Sequence, residues 1–286
     1  MKAYGMIQTI DPKTRQLTLR QHGSVQTVMI ERSVYQRHHM HLFPGHRILA
    51  RLAKRKKGHP KYKIEAIYKI LDGRRRTPVV FHHQEIIDQT KTILNECETV
   101  CSLDIEMSMH PYYQDKAFVQ EIIQVGYVIH DKDGNFIKEA KTFVKPTLHP
   151  KLTPRTLKFL SLTQNDVDQG VSFETFYHQL EKDVIAYNPA ILVWGKNDQT
   201  AIDSHLKRIE RKPQHPLRFI NLLQLHKNVF MYKDDLGLAK AYALYGHRLP
   251  HHQQHDALED AKMTQAVFFS FKAVLNKQRP SPHPSF

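Results

Sequence analysis

The chain has 286 residues, 41% of them apolar, and no uninterrupted run near the ~18 apolar residues of a membrane helix, so one sizeable domain plus a smaller one is expected and a spanning helix is not. MKAYGMIQTIDPK at the N-terminus lacks the apolar block of a secretory signal, which points to the cytoplasm, where Cys97 and Cys101 are expected to stay reduced. The formal charge of +14 lies wholly in residues 1–76, with 18 Lys and Arg against 4 Asp and Glu, while the remainder balances at 24 and 24; this asymmetry suits a part that meets a polyanion such as RNA or DNA.

In chain order, GMIQTID, QLTLRQ, SVQTVMI, HRILARLA and YKIEAIYKI alternate apolar and polar residues between turn signals, which predicts five strands of a small barrel over residues 1–71. In strand number, and in the long link between the third and fourth strands, this stretch resembles an oligonucleotide-binding (OB) fold. The resemblance places the basic loop with Lys54, Arg55, Lys56 and Lys57 between the last two strands, where OB folds grip nucleic acid. Arg74, Arg75 and Arg76 form a second cationic block, and blocks this dense repel themselves unless a partner neutralises them. Tyr35, Tyr62 and the histidines near 38–41 are either base-stacking or packing residues. Residues 72–83, with turn residues, the basic triplet and a proline, read as a linker.

A second domain is expected over 84–276. QEIIDQTKTILNECE is patterned as an amphipathic helix with Ile86, Ile87, Ile93 and Leu94 on one side, and TVCSLDIEMSM follows as a strand. EIIQVGYVIHD and NFIKEAKTFVKP form a hairpin through Asp133-Gly134-Asn135, and a helix-rich passage runs to about 187. AILVWGK and RFINLLQL read as two further buried strands around the helix QTAIDSHLKRIER. DDLGLAKAYALYG and DALEDAKMTQAVFFSFKAVL read as helices, and 277–286 as a disordered tail. The order implies an α/β fold with a mixed sheet whose last strands are parallel.

Side chains alternate across a strand, so Asp104 and Glu106 share one face opposite Leu103 and Ile105. Two carboxylates on a core strand need water or a divalent cation. Asp-x-Glu alone is a weak motif, but two further clusters join it. Asp198 stands in WGKND, where an apolar strand opens into a helix, a usual place for sites in α/β proteins. His255 precedes Asp260 by five residues at the start of the last long helix. Asp203 is an alternative to Asp198. The run of histidines from His251 and His252 to His255 also admits a transition-metal site, although no cysteine accompanies it. Asp256 is a candidate helix cap.

DIE, Asp198 about ninety residues later and His255-x-x-x-x-Asp260 together resemble the three exonuclease motifs of the DnaQ-like superfamily, with the histidine spacing of its DEDDh subgroup. EIIQVGYV, LSLTQNDVDQGVSF and HDALEDAKMTQAVF add to the resemblance, which covers residues 98 to about 272 and is nearest to the RNA-trimming branch. It implies a ribonuclease H-like fold, with Asp104, Glu106, Asp198 and Asp260 holding two divalent ions, Mg²⁺ or Mn²⁺, and His255 as general base. It further implies 3′-to-5′ hydrolysis of single-stranded nucleic acid, RNA favoured, to nucleoside 5′-monophosphates. Met107 replaces the threonine that often follows the first motif's glutamate, so contact with the terminal nucleotide is expected there.

Overall fold

The computed structural model describes residues 2–21, 23–56, 58–74, 78–113, 118–232, 234–249 and 255–282. The chain forms two compact units, Met1–Gln89 and Thr90–Phe286.

In the first unit, β1 (Lys2–Asp11), β2 (Gln16–Gln21), β3 (Ser24–Ile30), β4 (Arg47–Lys54) and β5 (Tyr62–Leu71) match the five predicted strands. Antiparallel pairings join β3, β2, β1, β4 and β5 in that order, and a parallel pairing of Met29 and Ile30 with Lys63 and Ile64 closes the sheet on itself. This closed barrel is OB-like. Its inward residues, among them Ile7, Leu17, Val28, Ile48, Leu52 and Ile64, are sealed from solvent, as alternation requires of a barrel too narrow for a channel. Helix α1 (Arg32–His38) fills the link from β3 to β4 and adds Val34 to the core.

Residues 72–83 are not a linker throughout. Pro78–Phe81 form β6, paired antiparallel to β5, and the His82 N–H donates to the Tyr68 carbonyl (2.8 Å). These bonds keep the segment with the barrel, and α2 (His83–Asn95) spans the division between the units.

The second unit is a five-stranded sheet in the order β11-β10-β7-β8-β9, from β7 (Thr99–Met107), β8 (Ile122–Asp131), β9 (Phe136–Phe143), β10 (Ala190–Val193) and β11 (Phe219–Asn221). The β7–β8–β9 pairings are antiparallel; β10 lies parallel to both β7 and β11. Helices α3 (Pro154–Leu160), α4 (Gln164–Asp168), α5 (Phe173–Tyr187) and α6 (Asn197–Arg208) follow the hairpin and β10. The odd-numbered residues Cys101, Leu103 and Ile105 pack in one core with Phe176, Tyr177 and Leu180 of α5 and Ile202 and Leu206 of α6. The even-numbered residues of β7 face the other layer, built around α9 (Ala257–Leu275).

RFINLLQL is a strand only at Phe219–Asn221. The Asn221 side chain accepts the Gln224 N–H (3.0 Å) and starts helix α7 (Leu222–Val229), ahead of α8 (Leu238–Leu244). The start of the expected disordered tail is anchored: Arg279 donates to Ser270 Oγ (3.0 Å) and to the Tyr245 carbonyl. Cys97 and Cys101 are free and buried, and no helix among the described residues is long and apolar enough to cross a membrane.

Candidate active site

Strand β7 is the middle strand of its sheet, hydrogen-bonded on both sides, so the carboxylates on it are held rigidly. Asp104 stands opposite Gly126 of β8, and Glu106 opposite Gln124. The pairing shifts register between Glu106 and Met107, which ends the regular ladder just beyond the second carboxylate. Met107 is half-buried and packs against the α5/α6 core.

The third carboxylate arrives from β10. After Val193 the chain turns at Gly195, whose φ of +120° only glycine adopts without strain, and enters α6. Asp198 lies in the first turn of α6, 7% exposed, and its Oδ1 accepts the Ile105 N–H at 3.1 Å. That bond fixes Asp198 between Asp104 and Glu106 along β7. Asp203, further along the helix, faces solvent.

The fourth carboxylate and the histidine come with α9. Asp256 caps this helix by accepting the Leu258 and Glu259 N–H groups, and Lys141 of β9 donates to the cap carboxylate. Gln124 Oε1 accepts the Ala257 N–H (2.8 Å), which pins the helix start to β8. Gly126 makes this docking possible: a Cβ there would lie 2.1 Å from the Leu258 nitrogen. Asp260 is 8% exposed, and its Oδ1 is buried with no hydrogen-bond partner among the described residues. His255 Nδ1 lies 4.0 Å from Glu106 Oε1, and its ring stacks on Phe159 of α3 with centroids 4.2 Å apart. One ligating atom from each of Glu106, His255 and Asp260 falls within 4.8 Å of the others.

The electrostatics follow from crowding. Burial, reinforced by the charges of Asp198, Glu106 and Asp260, holds the Asp104 carboxyl well above the usual carboxylate range. Burial and then Asp260 and Asp198 push Glu106 up to about 8. Burial pushes Asp198 up to about 6 against the N–H bonds it accepts, and burial with Asp256 and Glu259 nearby pushes Asp260 up to about 6. Burial lowers the His255 imidazole. Four acids raised by burial, three of them also by neighbouring carboxylates, form a group that a polycation or divalent ions would relieve.

Other sequence-predicted residues are elsewhere. Lys54 and Lys56 are exposed at the end of β4, whereas Arg55 Nη1 donates to the Pro60 carbonyl (3.2 Å) and closes the loop. Arg74 is exposed, with its N–H on Asp72 Oδ1 (2.8 Å). Tyr35 and Tyr62 pack against the barrel core, and His38 is buried. Lys57, Arg75, Arg76, His251 and His252 lie outside the described residues. Sequence reasoning did not single out Phe159, Gln124 or the role of Gly126; a glycine inside a buried strand is itself a sign of close backbone approach.

The sequence and the fold of the second unit have known relatives. Residues 101–268 match the exonuclease family model RNase_T, a span that takes in Asp104, Glu106, Asp198, His255 and Asp260. A probable 3′-5′ exonuclease, KapD of Bacillus subtilis (strain 168), is 30% identical over 184 residues, covering 62% of this chain and 88% of the relative. The nuclease domain of 3′hExo, a DEDDh family member bound to rAMP, shares the fold with a TM-score of 0.55 at 16% identity, over 64% of this chain and 94% of that one. A 3′-exonuclease structure concerned with 3′-end recognition of the histone mRNA stem-loop gives a TM-score of 0.54 at 16% identity, over 63% and 83%. With the family model and the Bacillus subtilis relative in agreement, the chain belongs to the RNase_T exonuclease family of 3′-5′ exonucleases.

Proposed function

We propose that the chain shortens single-stranded RNA from its 3′ end, one nucleoside 5′-monophosphate at a time. In this reading Asp104, Glu106, Asp198 and Asp260 hold two divalent cations and His255 is the general base. The observation that carries it is the convergence of four buried or half-buried carboxylates from β7, α6 and α9, with Asp260 Oδ1 left without a donor among the described residues. The donor set fits: carboxylate oxygens are the hard ligands that Mg²⁺ or Mn²⁺ prefers, and an acid oxygen without a hydrogen bond has a coordination position free. When bound, the two cations neutralise charge on the scissile phosphate and acidify the attacking water.

The chain's own residues do the rest. The Ile105 N–H orients Asp198, and the rigid β7 ladder fixes the spacing of Asp104 and Glu106. Docking of α9 on β8 sets Asp260 over the sheet and brings the His255 ring beside Glu106. A neutral imidazole there accepts the proton of water as it attacks the terminal phosphodiester. Exposed cations of the barrel, Lys54, Lys56 and Arg74 among them, supply sequence-independent attraction for the phosphate backbone. RNA as the substrate is supported by the rAMP bound to 3′hExo and by the stem-loop recognised by the related 3′-exonuclease.

The test is digestion of a 5′-labelled single-stranded RNA beside its DNA counterpart, by the unaltered chain and by Asp260→Asn, in Mg²⁺, Mn²⁺ and chelator. A ladder shrinking by single nucleotides from the 3′ end, faster on RNA and absent with the variant and with chelator, is the expected result. Equal or faster DNA digestion overturns the choice of sugar. Intact label in every lane overturns the reading altogether.

A further inference from the structure

The loop between β7 and β8 carries two large aromatic side chains that the fold leaves open to solvent: Tyr112 is 69% exposed and Tyr113 is 92% exposed. The stem of this loop is well held. The Gln120 side chain donates to the Ser108 carbonyl (2.9 Å), the Glu121 N–H donates to Ser108 Oγ (2.9 Å), and Phe118 stacks on His149 with centroids 4.4 Å apart. Exposed aromatics on a braced stem are poorly explained by packing, since burial would stabilise them and both side chains keep most of their surface open to solvent.

Their surroundings point to an occupant. The Arg155 guanidinium sits over the Tyr112 ring at 5.9 Å. Arg155 and Phe159 are one turn apart on α3, so they lie on the same face of that helix. Phe159 in turn stacks on His255. A row of flat groups therefore leads away from His255 through Phe159 and Arg155 to Tyr112, with the exposed Tyr113 next to it in the chain. Helix α3 is fixed to the chain just past the strand that bears the acids, because Thr156 Oγ1 accepts the Met109 N–H (2.9 Å) and Thr153 Oγ1 donates to the Met109 carbonyl (3.0 Å). Residues 145–163 also hold four cations, Lys145, Lys151, Arg155 and Lys158, and no acid. Aromatic faces interleaved with cations match a single strand of nucleic acid: its bases stack, and its phosphates meet the positive charge.

We infer that Tyr112 and Tyr113, with Arg155, form a stacking site for bases upstream of the one being removed. This rests on the reading of the acid cluster as a strand-cleaving site. Stacking is indifferent to base identity, so the site lends affinity and register without sequence preference. It also makes affinity depend on length, because a strand gains the site only once it extends from the acid cluster to Tyr112.

The experiment measures binding of 5′-fluorescein RNA of two, four, six and eight nucleotides by anisotropy, in Mg²⁺, with Asp104→Asn in every protein to stop cleavage. Lengthening from two to six nucleotides is expected to tighten binding at least tenfold. The Tyr112→Ala/Tyr113→Ala pair should remove most of that gain, and Tyr112→Phe/Tyr113→Phe should keep it. Arg155→Ala, which leaves the loop intact, should lose part of the gain and so separates loss of stacking from loss of folding. No gain with length, or a gain that the paired alanines leave unchanged, overturns the site. Cleavage by the unaltered chain is scored separately: a Tyr-dependent gain without any cleavage keeps the strand site and overturns the catalytic reading, and cleavage without the gain does the reverse.

Discussion

Replacing Gly126 with alanine tests how the site is assembled, because this residue carries no side chain that could act on a substrate. Its added Cβ would lie 2.1 Å from the Leu258 nitrogen, 2.3 Å from the Ala257 carbonyl carbon and 2.4 Å from the Leu258 Cα. All three are backbone atoms of the first turn of α9, so no rotamer change relieves the contact. Ordinary van der Waals separation starts near 3.4 Å, so α9 and β8 must part by more than an ångström. The displaced turn carries Asp260 and follows His255, while the strand opposite Gly126 carries Asp104. An ångström of misplacement at a catalytic constellation costs on the order of 10²-fold in rate, and overpacking a buried contact costs roughly 1–3 kcal/mol. Gly126→Ala should therefore melt cooperatively a few degrees lower and turn over a labelled oligonucleotide about a hundredfold more slowly. A variant with unaltered turnover and melting temperature would refute the claim that close approach of α9 at Gly126 positions the acids.

Four further outcomes are expected. Asp104→Asn should raise the melting temperature in chelator and abolish the rise expected from Mg²⁺ with the unaltered chain, since it removes a carboxyl whose ionisation burial and its acidic neighbours oppose; a lower melting temperature in chelator contradicts this. Glu121 is fully buried and accepts the N–H groups of Thr147, Leu148 and His149, with its carboxyl held below the usual range by those bonds once burial is overcome, so Glu121→Gln should cost about 2–4 kcal/mol at pH 7 in denaturant unfolding and much less below pH 4. Burial lowers His205 and His226 to about 4, so both are neutral when folded and charged when unfolded below pH 6.5; their stabilisation is complete above that pH and falls on acidification, by about 2 kcal/mol each between pH 7 and 5, and His226→Gln should remove about half of that slope. Reversing Lys54, Lys56 and Arg74 to glutamate should make log affinity for RNA less steep in log salt by roughly 2, at ~0.7 for each phosphate no longer neutralised; an unchanged slope would remove the barrel loops from the strand path.

Where one local rule governs, the sequence is readable. Alternation places all five barrel strands and puts Asp104 and Glu106 on one face, because a period of two is a property of the strand itself. RFINLLQL misleads because a short, wholly apolar run suits a buried strand and a buried helix equally, and Asn221 is the start signal that separates the two. The four residues of β6 escape notice because their place depends on a partner, β5, and not on a pattern of their own. The acids can be found from spacing and context, yet the contacts that aim them cannot. Gln124 on Ala257, Ile105 on Asp198 and Phe159 on His255 each join elements far apart in the chain, and such pairings exist only once the sheet order is set.

The presence of DIE in a core strand is accommodated by a division of labour around it. Every element that brings an acid to the cluster is stabilised by something other than the cluster. Strand β7 is held by ladders to β8 and β10 and by Leu103 and Ile105 in the core behind it. Helix α6 buries Ile202 and Leu206, and α9 buries Val267, Phe268 and Phe271 far from its charged first turns. The cap at Asp256 and its Lys141 partner further fix the start of α9 without touching Asp260. Mutual repulsion of the acids is thus opposed by packing that lies on the opposite face of the sheet or several turns away. That separation lets the fold keep the acids close together before any cation arrives, so that cation binding relieves repulsion instead of having to organise the site.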